Sequence, residues 1–124
     1  MSTHGPYWTI PGLIASSTLA SKQFYPVKLS STAGTVTLCS AATDAVIGVL
    51  MNDPGTGEAA EVAFCGLVQV AAEASQSAGT FVAASSTGRA KTTTSANDDA
   101  FGKLIDASSS AGDLVRVILA PSNY

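Results

Sequence analysis

From Gln23 onward, apolar residues come in short runs, broken about every eight to twelve residues by Gly, Ser, Asn or Pro. This punctuation constrains the fold more than any other feature. An amphipathic helix needs apolar residues recurring at i, i+3, i+4 and i+7, and no stretch longer than about a dozen residues sustains that spacing. The runs "FYPVKL", "TVTLCS", "AVIGVLM", "AFGKLID" and "GDLVRVIL" read as strands, and "GTFVAASSTGRAKTTT" reads as a hairpin. Within "EAAEVAFCGLVQVAAEA" a helix over "GEAAEVAF" competes, because Ala and Glu favour helix. Gly66 and the β-branched run after it decide for strand. The expectation is all-β: a small β-barrel or sandwich, β-tulip-like, with turns between short strands.

The runs also nearly repeat. Val27, Ser30, Ser31, Thr32 and Gly34 align with Val82, Ser85, Ser86, Thr87 and Gly88. Asp44, Ile47, Gly48 and Leu50 align with Asp98, Phe101, Gly102 and Leu104, and Gly57, Glu58, Val62 and Phe64 with Gly112, Asp113, Val117 and Leu119. The sequence thus predicts two similar halves, about residues 24–72 and 79–120, within one β domain at 21–124. Each half has one apolar face, and the two faces can bury each other.

Residues 1–20 have a different texture. "HGPYWTIPG" carries the only Trp, the only His and two prolines, which disfavour helix and inner strand. This segment is expected to be an extended N-terminal arm. Its Pro6, Tyr7, Trp8, Ile10, Leu13 and Ile14 are the candidate contacts with a partner or a neighbouring subunit. The apolar residues among them must be buried, either on the chain's own domain or in a partner.

Charge narrows the partners. Charged residues make up 12% of the chain and the net charge is -3. Soluble domains usually carry about a quarter charged residues. The shortfall is filled by small side chains that allow close packing. Lys22, Lys28, Arg89, Lys91, Lys103 and Arg116 are scattered rather than clustered, so a nucleic-acid partner is not expected. No run approaches the ~20 apolar residues that span a membrane, and the N-terminus lacks the basic region of a secretion signal. The expected product is cytoplasmic and has no membrane or small-molecule partner. Cys39 and Cys65 form no CxxC and are expected to be buried free thiols, with a Cys39–Cys65 bridge as the alternative.

The loop "DPGTGE" between two apolar runs raises the question of a phosphate site. A Walker loop needs Lys and Ser/Thr after its last Gly, but here Glu58 and Ala59 follow Gly57. A dinucleotide fingerprint fails at Ala60, where a third Gly is required. The corresponding loop, "DASSSAGDLV", also has a Gly followed by an acid. Gly57, Glu58, Gly112 and Asp113 are therefore read as structural turns, with the carboxylates accepting local backbone N–H bonds. Catalytic sites fare no better. His4 is the only His and sits close to the terminus, and no His/Cys/carboxylate spacing suits a metal. No catalytic residue, metal site or cofactor is expected.

Against this background, "DAVIGVLMNDPGTGEAAEVAFCGLVQVAAEA", "AGTFVAASSTGRA" and "AGDLVRVIL" resemble the capsid decoration, or cement, proteins of tailed bacteriophages, a family sometimes labelled recombinase-like. The matching positions are Gly48, Val49, Leu50, Asn52, Pro54, Gly57, Glu58, Ala60, Val62, Gly66 and Val70. The resemblance implies a β-rich, non-enzymatic virion protein on the outside of the phage head. It further implies a homotrimer that binds the major capsid protein and stabilises the expanded shell. The alternatives are another virion part (tail tube or fibre base) and, behind it, a nucleic-acid-handling accessory protein.

Overall fold

The computed structural model of the chain describes residues 7–93 and 100–119. Among these residues there is no helix, and ten strands account for the regular structure. They are β1 (Tyr7–Ile10), β2 (Ile14–Ala15), β3 (Pro26–Leu29), β4 (Thr35–Leu38), β5 (Val46–Leu50), β6 (Val62–Ala71), β7 (Phe81–Ala84), β8 (Ala90–Thr92), β9 (Gly102–Leu104) and β10 (Leu114–Leu119). The competing helix over "GEAAEVAF" is absent: its first residues form a turn and its last ones enter β6.

All ten strands belong to one mixed sheet. Its order is β2-β4-β3-β5-β6-β10-β9-β7-β8, and β1 pairs with β6 off this path. The β2–β4 pair is parallel and the other strand pairs are antiparallel. The expected barrel or sandwich is therefore corrected to a single sheet that does not close into a barrel. The end strands β2 and β8 do not meet. Each is covered instead by a loop of the chain. Ala15 N–H donates to Glu58 C=O at 3.0 Å, and Ala60 N–H donates to Leu13 C=O at 2.9 Å. At the other end Glu73 N–H donates to Ala90 C=O at 2.7 Å. Covered ends satisfy some of the backbone groups that barrel closure would otherwise have paired.

The apolar residues of the sheet divide into two clusters. One gathers Val49, Val68, Val82, Phe101, Leu104 and Val117 among others. The second is smaller and holds Leu13, Ala15, Leu19, Val27, Val36, Leu50, Ala60 and Val62. Strand β5 lies between them: Val46 and Val49 face the first cluster, while Leu50, with Ile47 packed beside it, faces the second. This explains why "AVIGVLM" is apolar throughout rather than alternating. A strand buried on both faces has no solvent side to mark with polar residues.

Two glycines bring the strands together. A Cβ on Gly48 would lie 2.1 Å from Ala63 O, and one on Gly102 would lie 2.5 Å from Ile118 O. Neither contact involves a side chain able to move aside. In register, Val27 faces Gly48 across β3–β5, and Val82 faces Gly102 across β7–β9.

Residues 7–19 are built into the sheet rather than held away from it. Strand β1 runs antiparallel to β6, with Tyr7 opposite Gly66, Trp8 opposite Cys65 and a bulge between Trp8 and Thr9. Leu13, Ala15 and Leu19 are buried. Between β2 and β3 the chain turns through two non-glycine residues in the left-handed region, Ser21 (φ 65°) and Phe24 (φ 73°). Both cysteines are free thiols. Cys39 is buried, whereas Cys65 is only half-buried, which corrects the expectation for that residue.

Candidate functional site

The candidate contact residues separate sharply once their strands are in place. Trp8 is 69% exposed, the most exposed large apolar residue among those described. The β1–β6 pairing holds its backbone opposite Cys65, so the ring is presented from a fixed strand. Ile14 is also exposed, and its N–H donates to Gly34 C=O at 3.0 Å. Tyr7 packs against the larger core cluster and Ile10 against the smaller one. Leu13 is buried within the smaller cluster. Pro6 lies outside the described residues, as do His4 and Asp98.

A second exposed apolar group lies on the sheet, and the sequence did not single it out. Register places Phe81 opposite Lys103, Lys103 opposite Ile118, and Ile118 opposite Leu67. Cross-strand partners share a face, so these four form a row across β7, β9, β10 and β6. Phe81 and Ile118 are exposed, and the Lys103 ammonium sits 5.0 Å from the centre of the Phe81 ring. The signal available in sequence was the outward half of "LVRVIL", but its face becomes legible only with the strand order.

The two Gly–acid turns are built alike. Gly57 has φ +80° and Gly112 has φ +88°, the left-handed region that glycine enters without a Cβ penalty. Gly55 N–H donates to Glu58 Oε1 at 2.6 Å. In the second turn Ser109 N–H and Ser110 N–H donate to Asp113 Oδ2 at 2.9 and 3.1 Å. These backbone donors hold the Asp113 carboxyl below the usual carboxylate range. The turn thus satisfies its backbone donors with its own carboxylate. The Ala72 C=O and N–H pair with Gly112 N–H and Asp113 C=O, as Ala15 pairs with Gly57 and Glu58.

Ion pairs sit beside the strands. Arg116 holds Asp106 with two guanidinium bonds, Nε–H to Oδ2 at 2.9 Å and a terminal nitrogen to Oδ1 at 2.8 Å. With the Arg116 backbone N–H added, these bonds lower the Asp106 carboxyl to about 2. Lys28 pairs with Asp44 at 3.1 Å. Among the described residues no cluster of three His, Cys, Asp or Glu side chains could hold a metal ion. What the surface offers is exposed apolar area, at Trp8, Ile14, Phe81 and Ile118 among others.

Comparison with known proteins agrees with that chemistry. No curated protein sequence matches the chain significantly. Among solved structures, the chain is similar to the head fiber gp8.5 N base of bacteriophage phi29. The TM-score is 0.70 at 18% sequence identity, covering 96% of this chain and 97% of that one. At that identity the likeness concerns the fold. The family model described as phage cement protein matches residues 11–119, nearly the whole of the sheet. The chain belongs to the phage cement protein family, and it is accordingly a structural, non-enzymatic component of a virion head.

Proposed function

We propose that this chain binds the outer surface of the phage head, contacts the major capsid protein and stabilises the expanded shell as a homotrimer. The observation that carries this reading is Trp8, a large aromatic side chain 69% exposed on a strand that is itself fixed to β6. Exposed aromatics on rigid supports are the residues that dominate protein interfaces. The N-terminal segment then acts as the docking element through Trp8 and Ile14, and Tyr7 and Ile10 brace it from beneath. Many copies around a shell reinforce it even when each contact is modest.

The core behind this site is read as a duplication. The pairings β3–β4, β3–β5 and β5–β6 recur as β7–β8, β7–β9 and β9–β10, with Gly48 and Gly102 at equivalent places. The Gly–acid turns at Gly57 and Gly112 support the same reading.

The test is to add purified protein to expanded heads that lack decoration. Binding is read by co-sedimentation, and the temperature at which heads release DNA is expected to rise. Trp8 is the only Trp, so its emission reports docking directly by shifting to the blue. Trp8→Ala is expected to weaken binding roughly tenfold or more, the scale of a hot-spot loss. Absence of binding to expanded heads overturns the proposal. A second reading is the base of a head fibre, favoured by the fold shared with the phi29 head fiber base. Electron microscopy of intact particles separates the two, since a fibre base carries a projecting partner and a cement protein does not.

A further inference from the structure

We propose that residues 7–19 are exchanged between copies of this chain, so that β1 and β2 of one copy occupy the same places on its neighbour. The inference rests on the oligomer in the reading above, but not on head binding.

The receiving site does not include the segment's own connector. Strand β1 is held by β6, which lies more than fifty positions later in the chain. Strand β2 lies between β4 and the loop before β6, bonded to Gly34, Val36, Glu58 and Ala60. A second copy presents the same partners, so closed and exchanged forms share the buried contacts of Leu13, Ala15 and Leu19. The difference between them lies in the hinge, residues 20–23.

That hinge is suited to opening. Ala20, Ser21 and Gln23 are exposed and Lys22 is half-buried. The closed path forces Ser21 to φ 65°, a conformation that side-chain-bearing residues avoid. Opening gives up the Lys22 N–H bond to Leu19 C=O (3.0 Å) and the Lys22 contact over the Tyr25 ring (5.0 Å), and it loosens the Tyr25 N–H bond to Lys22 C=O (3.1 Å) and the Gln23 side-chain bond to Met51 C=O (2.8 Å). In return Ser21 relaxes to ordinary extended backbone. Phe24 keeps its place, because Leu50 C=O and Ala71 N–H hold it to the body. Four extended residues reach roughly 14 Å, enough to cross to a copy already in contact. Within an oligomer the neighbour's site is always at high effective concentration. Strained, short hinges are the setting in which exchange of a terminal element is favoured.

Cys65 supplies the test, because it is the cross-strand partner of Trp8. Antiparallel partners have Cα atoms about 4.5–5.5 Å apart, within the range a disulfide spans. Purified full-length Trp8→Cys protein is oxidised without heads and analysed by non-reducing electrophoresis and intact mass. Cys39 is buried and does not compete. Exchange predicts covalent multimers joined through positions 8 and 65. Adding Ser21→Pro, whose ring cannot adopt the closed φ, is expected to raise the multimer fraction at least twofold. Adding Ser21→Gly, which relieves the strain, is expected to lower it. Oxidation to intrachain disulfide alone, or no disulfide at all, overturns the proposal. Should Trp8→Cys fail to fold, Ser21→Pro in the otherwise unaltered chain is measured by light scattering. An oligomer is expected, and a folded monomer or an unfolded chain overturns the proposal. Heads take no part in these assays, so a chain that exchanges but does not bind heads overturns the docking reading alone.

Discussion

Gly48 and Gly102 each face a carbonyl oxygen of the adjoining strand where a methyl group would have to sit. Gly48→Ala and Gly102→Ala are each expected to destabilise the fold by about 1–3 kcal/mol, the cost of forcing extra volume into a packed region. Urea denaturation of each variant checks this. The sequence marked both glycines through their repeated "xGxL" setting, but the reason for them is a close approach between strands that local pattern does not encode. Asp106 makes the second residue-scale case. Its folded-state carboxyl is lowered to about 2 from 3.8 by the Arg116 bonds. A depressed carboxylate contributes stability that is present above its unfolded value and is lost as pH falls through its folded value. Stability is therefore expected to fall between about pH 4 and pH 2, with Asp113, Asp44 and Glu73, lowered in the same direction, contributing to the decline. Asp106→Asn removes one share of that dependence. Thermal denaturation at pH 7 and at pH 2.5 checks the sign, since the variant loses less between the two than the parent.

The N-terminal segment decides most at the level of elements. Sequence pattern separated residues 1–20 from a core at 21–124, because Pro6, Pro11 and the aromatic cluster break the strand rhythm. In the fold, Leu13, Ala15 and Leu19 are core residues, and β2 is bonded on both edges. Deleting residues 1–19 is thus expected to cost the fold its smaller cluster and its cooperative unfolding transition. Leu13→Ala alone should cost about 2–5 kcal/mol. Deleting residues 1–10 removes β1 only, so the β circular dichroism spectrum should persist. Circular dichroism and chemical denaturation of the two truncations test this contrast. Strand β6 shows why burial here escapes a period-two reading. Its bulge opposite Trp8 and Thr9, with Gly66 at φ 112°, lets Val62 enter one cluster while Val68 and Val70 enter the other.

At the scale of the whole molecule, a side-chain link at Arg89 joins parts of the chain 64 positions apart. Arg89 Nε–H donates to the Tyr25 hydroxyl at 3.3 Å and the guanidinium lies 3.9 Å from Glu73. Thr87 and Ser85 hydroxyls bond the same carboxylate and, ahead of the Arg89 charge, lower its pKa. Gly88 in the same turn lies against the Cys39 carbonyl. Arg89→Ala is expected to shift overall stability by under about 1 kcal/mol, because partly exposed ion pairs are worth little. It should nonetheless speed hydrogen exchange at residues 85–89 selectively. Mass-resolved exchange distinguishes that local loosening from global unfolding. The sequence by itself determined that this chain is all-β, where most of its turns fall and that the "DPGTGE" loop lacks the lysine of a phosphate loop, because these follow from local alternation, from Gly and Pro geometry and from residue identity. It also carried the family resemblance. Only the tertiary structure decided that the strands form one unclosed sheet, that loops cover its ends, that Leu13 is core while Trp8 stays exposed, and that Phe81 and Ile118 share a face. Those outcomes depend on pairings between residues far apart in the chain, and two runs with the same local pattern give no sign of which partner each will take.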